Sequence, residues 1–334
     1  MFPAFPPLVF EPLFRSYLWG GRNLATKLQK NLPAEGIWAE SWEIVDHPQG
    51  QSIVQSGPWQ GWSLGQLVQE HPTAILGNQH NFSRFPLLLK YLDCQNVLSV
   101  QVHPDDAYGS QMKVPDLGKT EAWYIIDAQP GSLLYAGLKQ GVSRRDLEQA
   151  IRLGKTQDCL HVLSPSPGDC IFIPAGTIHA LGAGLVVAEI QQASDCTFRL
   201  YDWDRVDASG SSRPLHIEQA LEVIDFDRGP VDPIRTESIG ADRIETLVQC
   251  DKFRLMRLSK PESYELDLST CNVIAVPQGT ATLETAHGQI ELRMGQSALV
   301  PHACGQAKVT LGSDSTVLVA EPVSASVPLE GGSQ

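Results

Sequence analysis

The sequence predicts a mainly β protein built from two small barrel-like units with a few inserted helices. Three observations carry that expectation. Short apolar segments recur at roughly even spacing near the end of the chain: Phe253–Leu258, Tyr264–Leu268, Asn272–Val276, Thr280–Glu284, Gln289–Arg293, Ser297–Val300 and Thr316–Ala320. Such spacing is that of a sandwich or small barrel. An internal repeat links Pro167-Gly-Asp-Cys-Ile-Phe-Ile-Pro-Ala with Met294-Gly-Gln-Ser-Ala-Leu-Val-Pro-His302, each reading turn, apolar strand, proline. The stretch Leu98-Ser-Val-Gln-Val-His-Pro-Asp-Asp106 alternates, so Gln101 and His103 share one strand face before Pro104 and the aspartates end it.

The chain has 334 residues, enough for two units, with 42% hydrophobic and 19% charged residues. A net charge of −13 and the lack of a basic stripe with interleaved aromatics argue against nucleic acid. A small anionic substrate stays open, because a few local cations can outweigh the mean field. The 7 cysteines contain no C-x-x-C pair, which fits buried thiols in a reducing compartment. The start of the chain does not read as a signal peptide, and no apolar run approaches the ~20 residues of a membrane span. A cytoplasmic protein is therefore expected. Asn81-Phe-Ser83 matches a glycosylation triplet by chance.

Taken in order, residues 1–60 read as short strands and turns. Tyr17-Leu-Trp-Gly-Gly21 marks a tight turn or a close backbone approach. In Ile37–Ile44, alternation places Trp38, Glu40, Trp42 and Ile44 on one face. An inward Glu40 needs a partner, which makes it a candidate pocket residue; the plainer alternative has it facing outward. Ser63 caps a helix with Leu64, Leu67 and Val68 on its apolar side, within about 61–80. Phe85–Leu92 is a buried strand, and Gly118–Ile126 and Leu133–Gly137 follow as strands. Ser143 caps a surface helix inside an insertion over about 143–160. After the repeat segment, a Pro-Ala-Gly turn delivers His179, and Leu185–Ile190 is a strand with Glu189 embedded in it. A short helix lies within about 213–225, and residues 226–245 read as a linker. Residues 1–235 are expected to form the metal-binding unit, and 246–334 a barrel without metal ligands and with a loose tail at Glu330–Gln334.

Gln101, His103, Glu121 and His179 come from three separate strands as two imidazoles, one carboxylate and one amide oxygen. That set, without thiolate, suits a borderline divalent ion such as zinc with open positions for substrate. Of the remaining histidines, His47, His71, His80, His161, His216 and His287 have no partner at useful sequence spacing, and His302, in the second copy of the repeat, is out of register with His179.

Phe85-Pro-Leu-Leu-Leu-Lys, Leu98–Asp106, Lys119-Thr-Glu-Ala-Trp-Tyr, Ile173-Pro-Ala-Gly-Thr-Ile-His and Asp195-Cys-Thr-Phe-Arg-Leu-Tyr-Asp together resemble the type I mannose-6-phosphate isomerases, most closely their short bacterial form. The resemblance is good over residues 8–225 and looser beyond. It implies a cupin fold, so both barrels become jelly rolls. It implies one zinc ion per chain, on Gln101, His103, Glu121 and His179, and interconversion of D-mannose 6-phosphate and D-fructose 6-phosphate through an enediol proton transfer. It further implies Arg199 as the active-site arginine, Ser99 and Lys119 near the sugar phosphate, and Glu189 and Asp195 as acidic pocket residues. Lys119, Glu189 and Asp195 all stay open as the acid–base group. Longer members carry a histidine before the lysine of Lys-x-Glu, and Gly118 stands there in this chain. The expected partner is a small sugar phosphate, not nucleic acid or membrane, bound by a monomer or weak homodimer. The alternatives are a regulatory sugar-phosphate-binding metal cupin without turnover, and a different metal cupin such as an iron dioxygenase.

Overall fold

The computed structural model describes residues 5–77, 82–206, 210–235, 243–259 and 263–323. His80, Asn81 and the tail Glu330–Gln334 lie outside the described residues. The chain opens with β1 (Leu13–Arg15), helix α1 (Asn23–Thr26), β2 (Glu40–Ile44), and a small hairpin of β3 (Asp46–His47) and β4 (Gly50–Gln51). Helices α2 (Leu64–Glu70) and α3 (Pro72–Leu76) precede β5 (Leu87–Cys94), β6 (Val100–Val102), α4 (Asp106–Gln111) and β7 (Glu121–Ala128). Next come β8 (Leu134–Leu138), α5 (Arg144–Arg152), β9 (Leu160–Leu163), β10 (Cys170–Ile173), β11 (His179–Leu181), β12 (Leu185–Gln192), β13 (Phe198–Tyr201) and α6 (Ile217–Val223). The last part holds β14 (Arg243–Gln249), β15 (Phe253–Ser259), β16 (Ser263–Glu265), β17 (Asn272–Gln278) and β18 (Thr280–Thr285). It ends with β19 (Gly288–Arg293), β20 (Ser297–Val300), β21 (Ala307–Leu311) and β22 (Thr316–Pro322).

The protein is mainly β. Its N-terminal lobe pairs a six-stranded sheet, β1-β2-β5-β12-β7-β10, with a five-stranded sheet, β13-β6-β11-β8-β9. Its C-terminal lobe pairs β14-β15-β22-β17-β20 with β16-β21-β18-β19. The orders β5-β12-β7-β10 and β6-β11-β8-β9 recur strand for strand as β15-β22-β17-β20 and β16-β21-β18-β19. The repeat first visible in two proline-ended segments thus extends over eight strands. Among the described residues each pairing order runs as an open sheet.

Alternation sorts the side chains into distinct cores. On β12, Val186, Ala188 and Ile190 point to the outside of the lobe, where they join Leu87, Leu89 and Tyr91 of β5. These meet Leu255, Val273, Ala275, Leu318 and Ala320 of the other lobe, so the lobes pack sheet against sheet. Phe253 lies at the centre of that contact, fully buried and edge-on to Phe172. The inward face of the C-terminal lobe is apolar, with Met256, Ile274, Ala298, Val309 and Val319 in one cluster. The inward face of the N-terminal lobe is apolar at one end only, around Trp123, Ile125, Ile171 and Leu185.

Several local expectations change. The helix predicted over 61–80 is two helices, because Pro72 cannot continue α2. Ser63 does cap α2 through Gln66, and Ser143 caps α5 through Asp146, each as a capping box. Ile44 leaves the face of Glu40 and Trp42, since a bulge between Trp42 and Ile44 turns it into the interlobe core. The expected linker ends early: Arg243 to Glu245 already belong to β14, and residues 236–242 lie outside the described residues. Strand β21 went unread between its flanking glycines, although Ala307 and Val309 face the core and alternate with Lys308 and Thr310. Asp105 and Asp106, read only as a strand stop, begin α4, with the Asp105 carboxylate accepting from Tyr108 N at 2.8 Å. At Gly20, by contrast, the expected close approach is present: an added Cβ would sit 2.6 Å from Ala39 Cα.

Candidate active site

The floor of the site is the inward face of the six-stranded sheet. Glu189 on β12 stands in register between Lys90 on β5 and Trp123 on β7. From these strands runs a buried row of alternating charge. Lys90 Nζ lies 3.9 Å from Glu40 Oε1 and 3.1 Å from Glu189 Oε1. Lys119 Nζ lies 3.8 Å from Glu189 Oε1 and 2.9 Å from Glu121 Oε2. A single buried ion would be prohibitive, and alternation lets each charge face an opposite one. Burial pulls the Lys90 ammonium toward neutrality, but Glu189 and Glu40 hold it above its usual range. Burial, then the nearby Glu121 carboxylate, raise the Glu189 carboxyl above the usual carboxylate range. Trp123 Nε1 donates to Glu189 Oε2 at 3.0 Å, and Glu189 Oε1 has no hydrogen-bond donor of ordinary geometry.

The facing sheet supplies the opposite wall. Gln101 on β6 pairs in register with His179 on β11 and with Arg199 on β13, so these three stand side by side. His103 follows β6, and Glu121 opens β7 across the interior. His179 Nε2 is 3.4 Å from Glu121 Oε1, and His103 Nε2 is 3.5 Å from Glu121 Oε2. One ligand atom from each of the three lies within 4.8 Å of the others, the one such group among the described residues.

The donor set fits a divalent ion on the geometry alone. His103 Nδ1 is 2.8 Å from the Cys196 carbonyl, and His179 Nδ1 is 2.9 Å from the Thr177 carbonyl. Carbonyls only accept, so each Nδ1 carries the proton and each Nε2 turns a lone pair toward Glu121. Burial first, then Lys119, push the His103 imidazole down to about 3, and burial lowers His179 too, so both are neutral. Burial would raise the Glu121 carboxyl, yet the Lys119 ammonium beside it holds it well below the carboxylate range, and it is ionised. Both Glu121 oxygens are buried with no ordinary hydrogen bond, the Lys119 ammonium being their close charge. A bound cation would satisfy these orphaned acceptors. The Gln101 amide nitrogen is placed 3.2 Å from His179 Nε2. Turned over, the amide would aim its oxygen at the same point, completing a two-imidazole, carboxylate and amide set.

A cleft of about 280 Å³ opens beside this group, near the low end for small-ligand sites. Glu40, Lys90, Ser99, Gln101, Lys119, Glu189, Asp195 and Arg199 line it, while His103, Glu121 and His179 are buried behind. Arg199 and Arg213 stand together at one side. Asp202, a plausible sequence partner for Arg199, is taken by Arg205 and by Arg213, whose Nε and Nη2 bind it at 2.8 and 2.6 Å. Arg199 gives Nη1 to the Pro214 carbonyl at 2.9 Å, and its buried Nε has no partner. Burial, then Arg213, weaken its hold on its proton relative to a free guanidinium. With Arg213 paired to Asp202, the half-buried Arg199 guanidinium is the one prepared for an anion.

The structure thus brings together Ser99, Gln101, His103, Lys119, Glu121, His179, Glu189 and Arg199. Asp195 lies at the exposed rim. Sequence reading passed over Lys90 and Arg213, and left Glu40 between two options. Lys90 carried a signal: a lone lysine inside the apolar run Phe85–Leu92 must be paired or functional. Arg213 carried none, since it reaches the cleft from a loop. Other histidines do have partners distant in sequence: His47 Nε2 lies 3.4 Å from Asp116, His161 Nε2 3.0 Å from Asp232, and His216 Nδ1 accepts from Arg199 N at 3.2 Å.

Comparison with known proteins points one way. A family model described as phosphomannose isomerase type I, catalytic domain, matches residues 8–127. Mannose-6-phosphate isomerase ManA of Bacillus subtilis (strain 168) is 35% identical over 305 residues, covering 91% of this chain and 95% of the relative. The mannose-6-phosphate isomerase of Streptococcus mutans is 40% identical over 218 residues, covering 65% of this chain and 67% of its own. The crystal structure of the mannose 6-phosphate isomerase from Bacillus subtilis superposes with a TM-score of 0.85 at 32% identity, covering 95% of this chain and 99% of that one.

Proposed function

The chain belongs to the type I phosphomannose isomerases, and from that premise we propose that it interconverts D-mannose 6-phosphate and D-fructose 6-phosphate through an enediol. The observation that carries this reading is the convergence of two neutral imidazole nitrogens and a buried, unsatisfied carboxylate beside a cleft that also holds Arg199 and Glu189. His103, Glu121, His179 and Gln101 would hold one divalent ion, for which zinc suits the donors. When bound there, the ion supplies Lewis-acid stabilisation of charge developing on the sugar oxygens.

The chain's own residues account for the rest. The isomerisation takes a proton from C2 of the aldose and returns it to C1. Of the three acid–base candidates, Glu189 fits best: it lines the cleft, is raised toward neutrality, and is oriented by Trp123. Lys119 is engaged with Glu121, and Asp195 sits at the exposed rim. Arg199 offers positive charge to the anionic substrate, Ser99 contributes a polar contact beside it, and Lys119 contributes one from the floor. Leu92, Leu98, Trp123 and Leu181 line the remainder and limit water. Among the described residues, 5–235 form the catalytic unit of this proposal and 243–323 the second jelly roll. The unpaired cysteines suit a cytoplasmic enzyme, working as a monomer or weak homodimer.

A coupled assay that follows fructose 6-phosphate formed from mannose 6-phosphate, with metal analysis of the same sample, tests the reading. Turnover with one zinc per chain is expected. His103→Ala should remove metal and turnover together. A metal-loaded protein that binds the sugar phosphate but does not turn it over would point to the regulatory cupin, and iron in place of zinc to the dioxygenase.

A further inference from the structure

Three consecutive backbone amides lead into β7, and each is held. Gly118 N donates to Asp106 Oδ1 at 2.8 Å, Lys119 N to the Pro104 carbonyl at 2.9 Å, and Thr120 N to Gln192 Oε1 at 3.0 Å. Gln192 closes the clamp, its Nε2 donating to Asp106 Oδ1 at 2.8 Å. Gly118 is wedged against the start of α4, where any Cβ would collide with the Asp105 and Asp106 backbone. The Lys119 side chain, 2.9 Å from Glu121 Oε2 and 3.2 Å from His103 Nε2, therefore owes its place to the Asp106 carboxylate.

That carboxylate is secured from the other lobe. Lys252, in the turn between β14 and β15, places Nζ 2.7 Å from Asp106 Oδ2. The turn is itself pinned, because Val323 N donates to the Lys252 carbonyl at 2.9 Å. Asp251 shares the ammonium at 2.8 Å from an exposed position. So a chain of contacts runs from the C-terminal lobe through Lys252 and Asp106 to the backbone on either side of Lys119. We propose that Lys252 is a positioning residue, through which the metal-free lobe sets the place of Lys119 in the active site. This rests on the isomerase reading for its consequence in turnover, but not for its structural half. The ion pair is partly exposed and adds little stability. Its effect is geometric, and small misplacements in an active site are costly.

The experiment uses the full-length enzyme with Lys252→Met, Lys252→Arg, Asp106→Asn and the Asp106→Asn/Lys252→Met double variant. Steady-state kinetics are run beside hydrogen exchange of the segment containing Gly118 to Thr120. Lys252→Met is expected to lower kcat about fivefold with KM near unchanged, and to speed exchange of those amides about tenfold. Lys252→Arg should restore both. Asp106→Asn should match Lys252→Met, and the double variant should be no worse than either. Unchanged exchange in Lys252→Met overturns the tie. Faster exchange with unchanged kcat overturns the positioning role, as would losses that multiply in the double variant. Absence of turnover in the unmodified enzyme would sink the isomerase reading alone, because the exchange measurement stands without it.

Discussion

The two lobes share an eight-strand order and differ in what their inner faces carry. The prolines ending β10 and β20 set the alignment. Ile173, before the first, pairs with Glu121, and Val300, before the second, pairs with Asn272. Two residues on, Trp123 pairs with Glu189, and Ile274 with Val319. One strand further, Glu189 pairs with Lys90, and Val319 with Met256. The ionic row Lys90, Glu189, Glu121 thus corresponds to Met256, Val319, Asn272. On the facing sheet, where Gln101 and His179 stand in one lobe, Tyr264, Ala307 and Val309 serve the apolar cluster of the other. The C-terminal lobe demonstrates that the inner face of this strand order needs no charge to pack. The inner-face charges of the N-terminal lobe are therefore not required by the strand order, which supports the chemistry proposed for them.

The strongest way to break this comparison is to make one lobe resemble the other. In the Lys90→Met/Glu189→Val double variant the floor takes the residues of the C-terminal lobe. Activity should fall by about a thousandfold or more, the scale of losing a proton carrier. Unfolding free energy should stay level or rise by about 1–4 kcal/mol, because a buried ion pair is often no better than a good apolar packing. Glu189→Val alone should cost about 3–5 kcal/mol, since it leaves the buried Lys90 ammonium with only the more distant Glu40 carboxylate. Denaturant unfolding distinguishes the cases. A double variant less stable than the single one would mean that the row holds the fold, and the lobes would not be comparable.

Arg199→Ala sharpens the comparison at the cleft wall. Among the described residues its side chain has no acidic partner in an ion pair, so the fold and metal content should survive. An expected loss of about a hundredfold in kcat follows from removing charge where charge develops. An unchanged kcat with raised KM would restrict Arg199 to uniform binding.

Phe253→Ala probes the surface the lobes have in common. Its ring is fully buried between Phe172 and the interlobe core, so truncation should cost about 3–5 kcal/mol. The shift should appear as one cooperative transition if the lobes unfold together. Two separate transitions in calorimetry would show that they are energetically independent.

Much of this was legible in the sequence, for a physical reason. A strand fixes side-chain direction by parity, so the shared face of Gln101 and His103 is readable from the sequence alone. The repeat was legible because a proline-ended strand recurs with its preceding glycine. What parity hides is the bulge: Ile44 looked like a neighbour of Trp42 until the register slipped. Side chains delivered from turns were also hidden. Arg213 and Lys252 reach their partners, Asp202 and Asp106, across folds of the chain that no local pattern encodes. Strand β14 was masked by polar outward residues, among them Glu245, which is in fact buried against Arg257.

The smallest expected effect concerns Asp116, which fastens the two loops flanking the site in the charged lobe. Its carboxylate accepts from Ser194 Oγ at 3.0 Å, from Asp195 N at 3.2 Å and from Leu117 N at 2.9 Å, and it pairs with Arg84. Burial alone would raise its carboxyl, but the hydrogen bonds from His47 and Arg84 hold it well below the carboxylate range. A folded-state value below the unfolded value of about 3.9 stabilises the protein at higher pH, and that contribution is lost as pH falls through the folded value. Asp116→Asn should therefore melt a few degrees below the unmodified protein at pH 7. The gap should narrow once the pH drops below about 4. Melting curves of both proteins across pH 2 to 8 check this, and a gap constant over that range would show that the carboxylate acts through shape and not through charge.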